Sequence, residues 1–106
     1  MIALKATHRN SDVSFLGFSN ISRKTLWEIG KHSLLMVGRG LHTRSGTVLS
    51  VRDNASLKIG NGVFINRNSI ITARKSITIE DGVTIGSNVC IYDHDHDIYS
   101  RGGVCI

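Results

Sequence analysis

The chain has 106 residues, of which 41% are hydrophobic, with no proline, two cysteines and a formal net charge of +5 at neutral pH. That length holds one domain, no apolar run approaches the roughly 18 residues of a membrane span, and two cysteines do not make a disulfide framework. Met1 to Asp12 is too polar for a signal peptide, so a cytoplasmic protein with reduced Cys90 and Cys105 is expected.

The charge is uneven along the chain. Residues 1–52 carry +6 and residues 53–106 carry −1. A basic first half suits an anionic partner such as a phosphate-linked sugar or a membrane surface. It lacks the aromatic interleaving of a nucleic-acid platform, and a solvated set of corners explains it more simply.

Residues 1–26 show weak apolar pairing and are expected to form a cap or an irregular first coil. From Trp27 onward, residues pair two apart: Trp27/Ile29, Leu35/Val37, Leu41/Thr43, Leu49/Val51, Leu57/Ile59 and Val63/Ile65. The series continues as Ser69/Ile71, Ile77/Ile79, Val83/Ile85, Val89/Ile91 and Val104/Ile106. A spacing of two puts both members on one face of a short strand, and the residue between them, such as Lys58 or Thr78, points away. The second members return every six or eight residues; Ile59, Ile65 and Ile71 are six apart, as are Ile79, Ile85 and Ile91. That period fits neither a helix nor a plain strand. It marks an all-β parallel β-helix, in which short strands form the sides of a prism.

Gly30, Gly38, Gly60 and Gly86 follow the second member of a pair, and Asn66 takes that place once. Gly60-Asn61-Gly62, Glu80-Asp81-Gly82 and Gly86-Ser87-Asn88 therefore read as corners. The eight-residue steps read as corners enlarged by two residues, with Arg74-Lys75 as an example. A β-sandwich would have longer and less regular turns, and the Gly-Gly-x-Gly-x-Asp repeats of calcium-binding β-helices are absent.

Ile59-Gly60-Asn61-Gly62-Val63-Phe64-Ile65 and Ile79-Glu80-Asp81-Gly82-Val83-Thr84-Ile85-Gly86-Ser87-Asn88-Val89 resemble the hexapeptide repeat of the left-handed β-helix acyltransferases. The similarity is closest to sugar and polysaccharide O-acetyltransferases of the galactoside and maltose type, and it covers roughly Trp27 to Ile106. Glu80 stands where the repeat most often has glycine. The resemblance implies a left-handed coil and a homotrimer with its sites between subunits. It implies transfer of an acetyl group from acetyl-CoA to a hydroxyl of a sugar or polysaccharide precursor. Family members continue through further coils that hold much of the acetyl-CoA site. Against that pattern this chain, ending at Ile106 in mid-rung, reads as truncated at its C-terminal end.

Two positions match the family's site. His96 lies five residues after the inward Ile91, in a loop expected to leave the prism at about 92–103, and the matching histidine is the general base. Asn66 lies thirty residues earlier, just after the inward Ile65, and Asn68 completes an Asn-x-Asn pattern; the matching asparagine holds the acceptor hydroxyl. Asn66, Asn68 and Asp93 are thus the expected substrate-binding residues. Asp93, Asp95 and Asp97 all lie nearby in sequence as candidates to orient the imidazole, and a backbone carbonyl would serve as well. A histidine titrating near neutrality suits removal of the acceptor proton, and an asparagine offers both donor and acceptor to a hydroxyl. Ile71 and Ile91 should share a face and Ile65 lie on another, which sends Asn66 and His96 out from different corners.

Other readings fit the same residues. Asp93-His94-Asp95-His96-Asp97 also has the composition of a solvated loop or a metal site; the latter would suit a relative of the γ-class carbonic anhydrases. Asn66 alone would be an ordinary turn residue. The whole chain could instead be a non-catalytic β-helix remnant or binding module. His8, His32 and His42 match no functional pattern, and Phe64 and Tyr92 suit either packing or an acceptor pocket.

Overall fold

The computed structural model describes residues 11–93. They form twelve short strands and, among the described residues, no helix. In chain order these are β1 (Asp12–Phe15), β2 (Asn20–Ile21), β3 (Leu26–Ile29), β4 (Leu34–Val37), β5 (His42–Thr43) and β6 (Val48–Val51). There follow β7 (Ser56–Ile59), β8 (Phe64–Ile65), β9 (Ile70–Ala73), β10 (Ser76–Ile79), β11 (Thr84–Ile85) and β12 (Cys90–Tyr92).

Every third strand pairs in parallel. The first sheet is β1-β4-β7-β10, the second β2-β5-β8-β11 and the third β3-β6-β9-β12. The described residues therefore form a three-sided parallel β-helix of four coils. Register fixes the coil length. Asp12, Leu34 and Ser56 align at 22-residue intervals, and Ser76 follows Ser56 after 20. Among the described residues regular strands start at Asp12, inside the segment expected to be a cap or an irregular first coil.

The inward columns match most of the predicted pairs; Val83 is 36% exposed, and Val104/Ile106 lies outside the described residues. Leu35, Leu49, Leu57, Ile65 and Ile71 are fully buried and stack coil on coil into one core. Ile71 and Ile91 face each other in the third sheet while Ile65 lies in the second, as the period required. Stacking of identical positions excludes water along the whole axis, which is why so short a strand suffices.

The eight-residue steps have a different origin from the one expected. Corners are four residues long, and the extra two residues lie in the strands. Strands of the first sheet and most of the third have four residues, whereas those of the second have two. The exception is Arg74-Lys75, which is shortened, not enlarged: it joins β9 to β10 with two residues where 30–33 and 52–55 use four.

Most four-residue corners place their third residue at positive φ. Gly40, Gly62 and Gly82 do so on one edge, Gly46, Asn68 and Asn88 on the second, and His32 and Asn54 on the third. Glycine and asparagine adopt that conformation most readily, as in a type II turn. Further acceptors tie coil to coil: Asp53 Oδ1 takes the Lys31 N–H at 2.8 Å, Asn61 Oδ1 that of Arg39 at 2.8 Å, and Asp81 Oδ1 that of Asn61 at 2.7 Å.

Candidate functional site

His96 lies outside the described residues, as do His94, Asp95, Asp97 and most of the expected 92–103 loop. Asn66, Asn68 and Asp93 are described, and they do not come together on one corner. Asn66 and Asn68 sit on the edge between the second and third sheets, joining β8 to β9. Asp93 follows β12, on the edge between the third and first sheets.

The two asparagines serve their own corner. Asn66 Oδ1 accepts the Arg67 N–H at 2.8 Å, and the Asn66 carbonyl accepts from Thr47 Oγ1 at 3.1 Å. Asn68 occupies the left-handed position at φ 59°. Its Oδ1 lies close over Gly46 of the coil below, where a methyl group would come within 2.0 Å of it.

Asp93 is bound far more tightly. Its Oδ1 accepts the N–H of Arg74 at 2.6 Å, and its Oδ2 accepts those of Lys75 at 2.7 Å and Ser76 at 2.6 Å. The shortened corner leaves three successive N–H groups pointing one way, and such a concavity binds an anion. Burial pushes the Asp93 carboxyl up, but these backbone donors outweigh it and hold it below its ordinary value. Asp93 thus fastens the fourth coil to the third at the point where the chain proceeds toward His96. Sequence reasoning missed this role because the partners lie 17 to 19 residues away.

Cys90 is disulfide-bonded and not the reduced thiol expected. Phe64 and His42, outward on neighbouring strands, meet edge to face with centroids 4.9 Å apart. Among the described residues there is no group of three or more metal-ligating side chains, and no helix is long and apolar enough to cross a membrane.

Charge is sorted around the prism as well as along it, where the fourth coil holds Glu80, Asp81 and Asp93 and no Lys or Arg. The edge between the second and third sheets carries Arg23, Lys24, Arg44 and Arg67 and no acid. The edge between the third and first sheets carries Lys31, Arg52, Arg74 and Lys75, with Asp53 and Asp93. Eight of the ten described Lys and Arg residues therefore flank the third sheet, opposed there by Glu28, Asp53 and Asp93. The remaining edge and the first sheet hold Arg39 and Lys58 against Asp12, Glu80 and Asp81.

Two grooves mark the surface. One, of about 600 Å³, runs over the outer face of the first sheet past Leu16, Met36, Lys58 and Thr78. The other, of about 580 Å³, lies on the outer face of the third sheet beside Glu28, Ser50, Arg52 and Arg74. Comparison with protein-family models, with curated proteins and with solved structures gave no match.

Proposed function

We propose that the protein is an O-acetyltransferase that moves an acetyl group from acetyl-CoA to a hydroxyl of a sugar or polysaccharide precursor, with His96 as general base. The sequence resemblance supports this reading, and one structural observation carries it further. Asp93, three residues before His96 in sequence, is held by three backbone N–H groups of residues 74–76, which fixes its position. Catalytic groups need such support, because small displacements cost large factors in rate.

In the proposed step the acceptor oxygen attacks the thioester carbonyl while its proton passes to the His96 imidazole. The tetrahedral adduct then collapses, the C–S bond breaks, and coenzyme A leaves as the thiol with that proton. Asn66 would hold the acceptor hydroxyl. Asn66 and Asp93 sit on different edges, so the site would be assembled between subunits of a homotrimer. Leu16 at 63%, Phe18 at 87% and Met36 at 37% exposure offer apolar surface for such packing.

The test is acetyl transfer from acetyl-CoA to a panel of sugars, with His96→Ala as control. Transfer that falls by roughly 10²–10⁴ in the variant is the expected result. Equal transfer by both proteins, or none by the wild type, sinks the proposal. Light scattering on the same sample should give the mass of three chains. A non-catalytic binding module is the second reading, favoured by the basic surroundings of the third sheet.

A further inference from the structure

The groove on the third sheet contains a hydroxyl with nothing to bind. Ser50 lies between Glu28 and Thr72 on the neighbouring strands, on the outward side, yet it is only 2% exposed. Its Oγ has no hydrogen-bond partner. Ser33, Thr47 and Ser69 differ, donating to the Gly30 carbonyl at 2.7 Å, the Arg44 carbonyl at 2.8 Å and the Gly86 carbonyl at 2.6 Å, while Ser19 Oγ, away from this groove, shares the lack of a partner. Leaving such groups unsatisfied costs stability, and in native proteins the exceptions call for a reason.

The charges beside Ser50 supply one. Val51 and Ala73 are in register, so Arg52 and Arg74, the next residue in each strand's continuation, stack on successive coils at the strand spacing of about 4.8 Å. Both carboxylates of that edge are already engaged with backbone: Asp53 with the Lys31 N–H, and Asp93 with residues 74–76. Neither arginine forms an ion pair among the described residues. Two guanidiniums on successive coils can grip one anion between them, and their planar forks match phosphate oxygens.

We propose that this face binds a small phosphate ester of a polyol, of the sugar-phosphate class. Arg52 and Arg74 hold the phosphate, and Glu28 accepts from a hydroxyl of the ligand. Ser50 donates to the ester once the long side chains around it move aside. A groove with an internal hydroxyl favours a small ligand over a membrane surface or a nucleic acid, which need only the basic edges. The inference stands whether or not the protein transfers acetyl groups.

Calorimetric titration of the full chain with glucose 1-phosphate, against glucose, tests it. Saturable binding of the phosphate ester and none of the neutral sugar is expected. Arg52→Ala/Arg74→Ala should abolish binding. Arg52→Lys/Arg74→Lys, which keeps the charge but loses the fork, should weaken it by about tenfold. Ser50→Ala should weaken it by about 5–10-fold while melting no lower than the wild type, because the lost hydroxyl had no partner in the free protein. Undiminished binding by the double alanine variant overturns the proposal. So does the absence of saturable binding to glucose 1-phosphate, including the case where only anionic vesicles or DNA are retained.

Discussion

Asp93 is a side chain whose chemistry is decided by residues a full coil away. Three backbone donors at 2.6–2.7 Å favour its ionised form, so its folded value lies below the ordinary one near 4. A carboxylate depressed on folding stabilises the protein above its unfolded value and loses that contribution as pH falls through the folded value. Asp93→Asn should therefore melt several degrees below the wild type at pH 7, with the gap closing below about pH 4; circular dichroism melts from pH 2.5 to 7 check this. An equal gap at every pH would mean that the carboxylate's charge is not what matters. From sequence, Asp93 reads as a substrate-side residue beside a histidine, because nothing local marks three N–H groups 17 to 19 positions earlier as its partners. Asn68 is the converse case: its Asn-x-Asn spacing was legible, but its left-handed backbone supplies a structural reason for asparagine there.

Corners show what a period can and cannot convey. The inward residues were legible because burial tolerates only apolar or self-satisfied side chains, and those recur wherever the chain turns back to the axis. The division of each step between strand and corner was not, since two residues added to either lengthen the step equally. Only the register shows that the second sheet has the narrow side and that Arg74-Lys75 is the short corner. The glycines after the inward residues likewise acquire distinct reasons. A Cβ on Gly60 would lie 2.3 Å from Asp81 Oδ1 and 2.7 Å from the Asp81 backbone nitrogen, whereas one on Gly86 would meet nothing closer than 4.0 Å. Gly60→Ala should cost about 1–3 kcal/mol, a fall of several degrees in melting temperature, and Gly86→Ala should be neutral. Parallel melts of the two variants distinguish this from a general intolerance of alanine in corners.

At the scale of the molecule, each coil touches only its neighbours, so stability is close to a sum of coil and interface terms. Leu57 is fully buried in β7, between β4 and β10 of the same sheet. Leu57→Ala should cost about 2–5 kcal/mol and raise amide exchange through all three sheets. Val13 lies in the outermost described strand and is half-buried; Val13→Ala should loosen the first coil while exchange in β7 to β12 stays slow. Hydrogen exchange resolved by residue reads both. The charge sorting belongs to this scale as well. Read linearly, it was a basic first half; the angular clustering needed the coil length, which changes from 22 to 20 at the short corner.

That sorting gives the prism a front and a back. With eight cations flanking one side and Asp12, Glu80 and Asp81 elsewhere, the positive and negative centres are displaced across the axis as well as along it. In the field of an anionic partner the molecule experiences a torque as well as an attraction, and it turns its third sheet forward before contact. Orientation is then settled during approach, within the roughly 8–10 Å that physiological salt leaves unscreened.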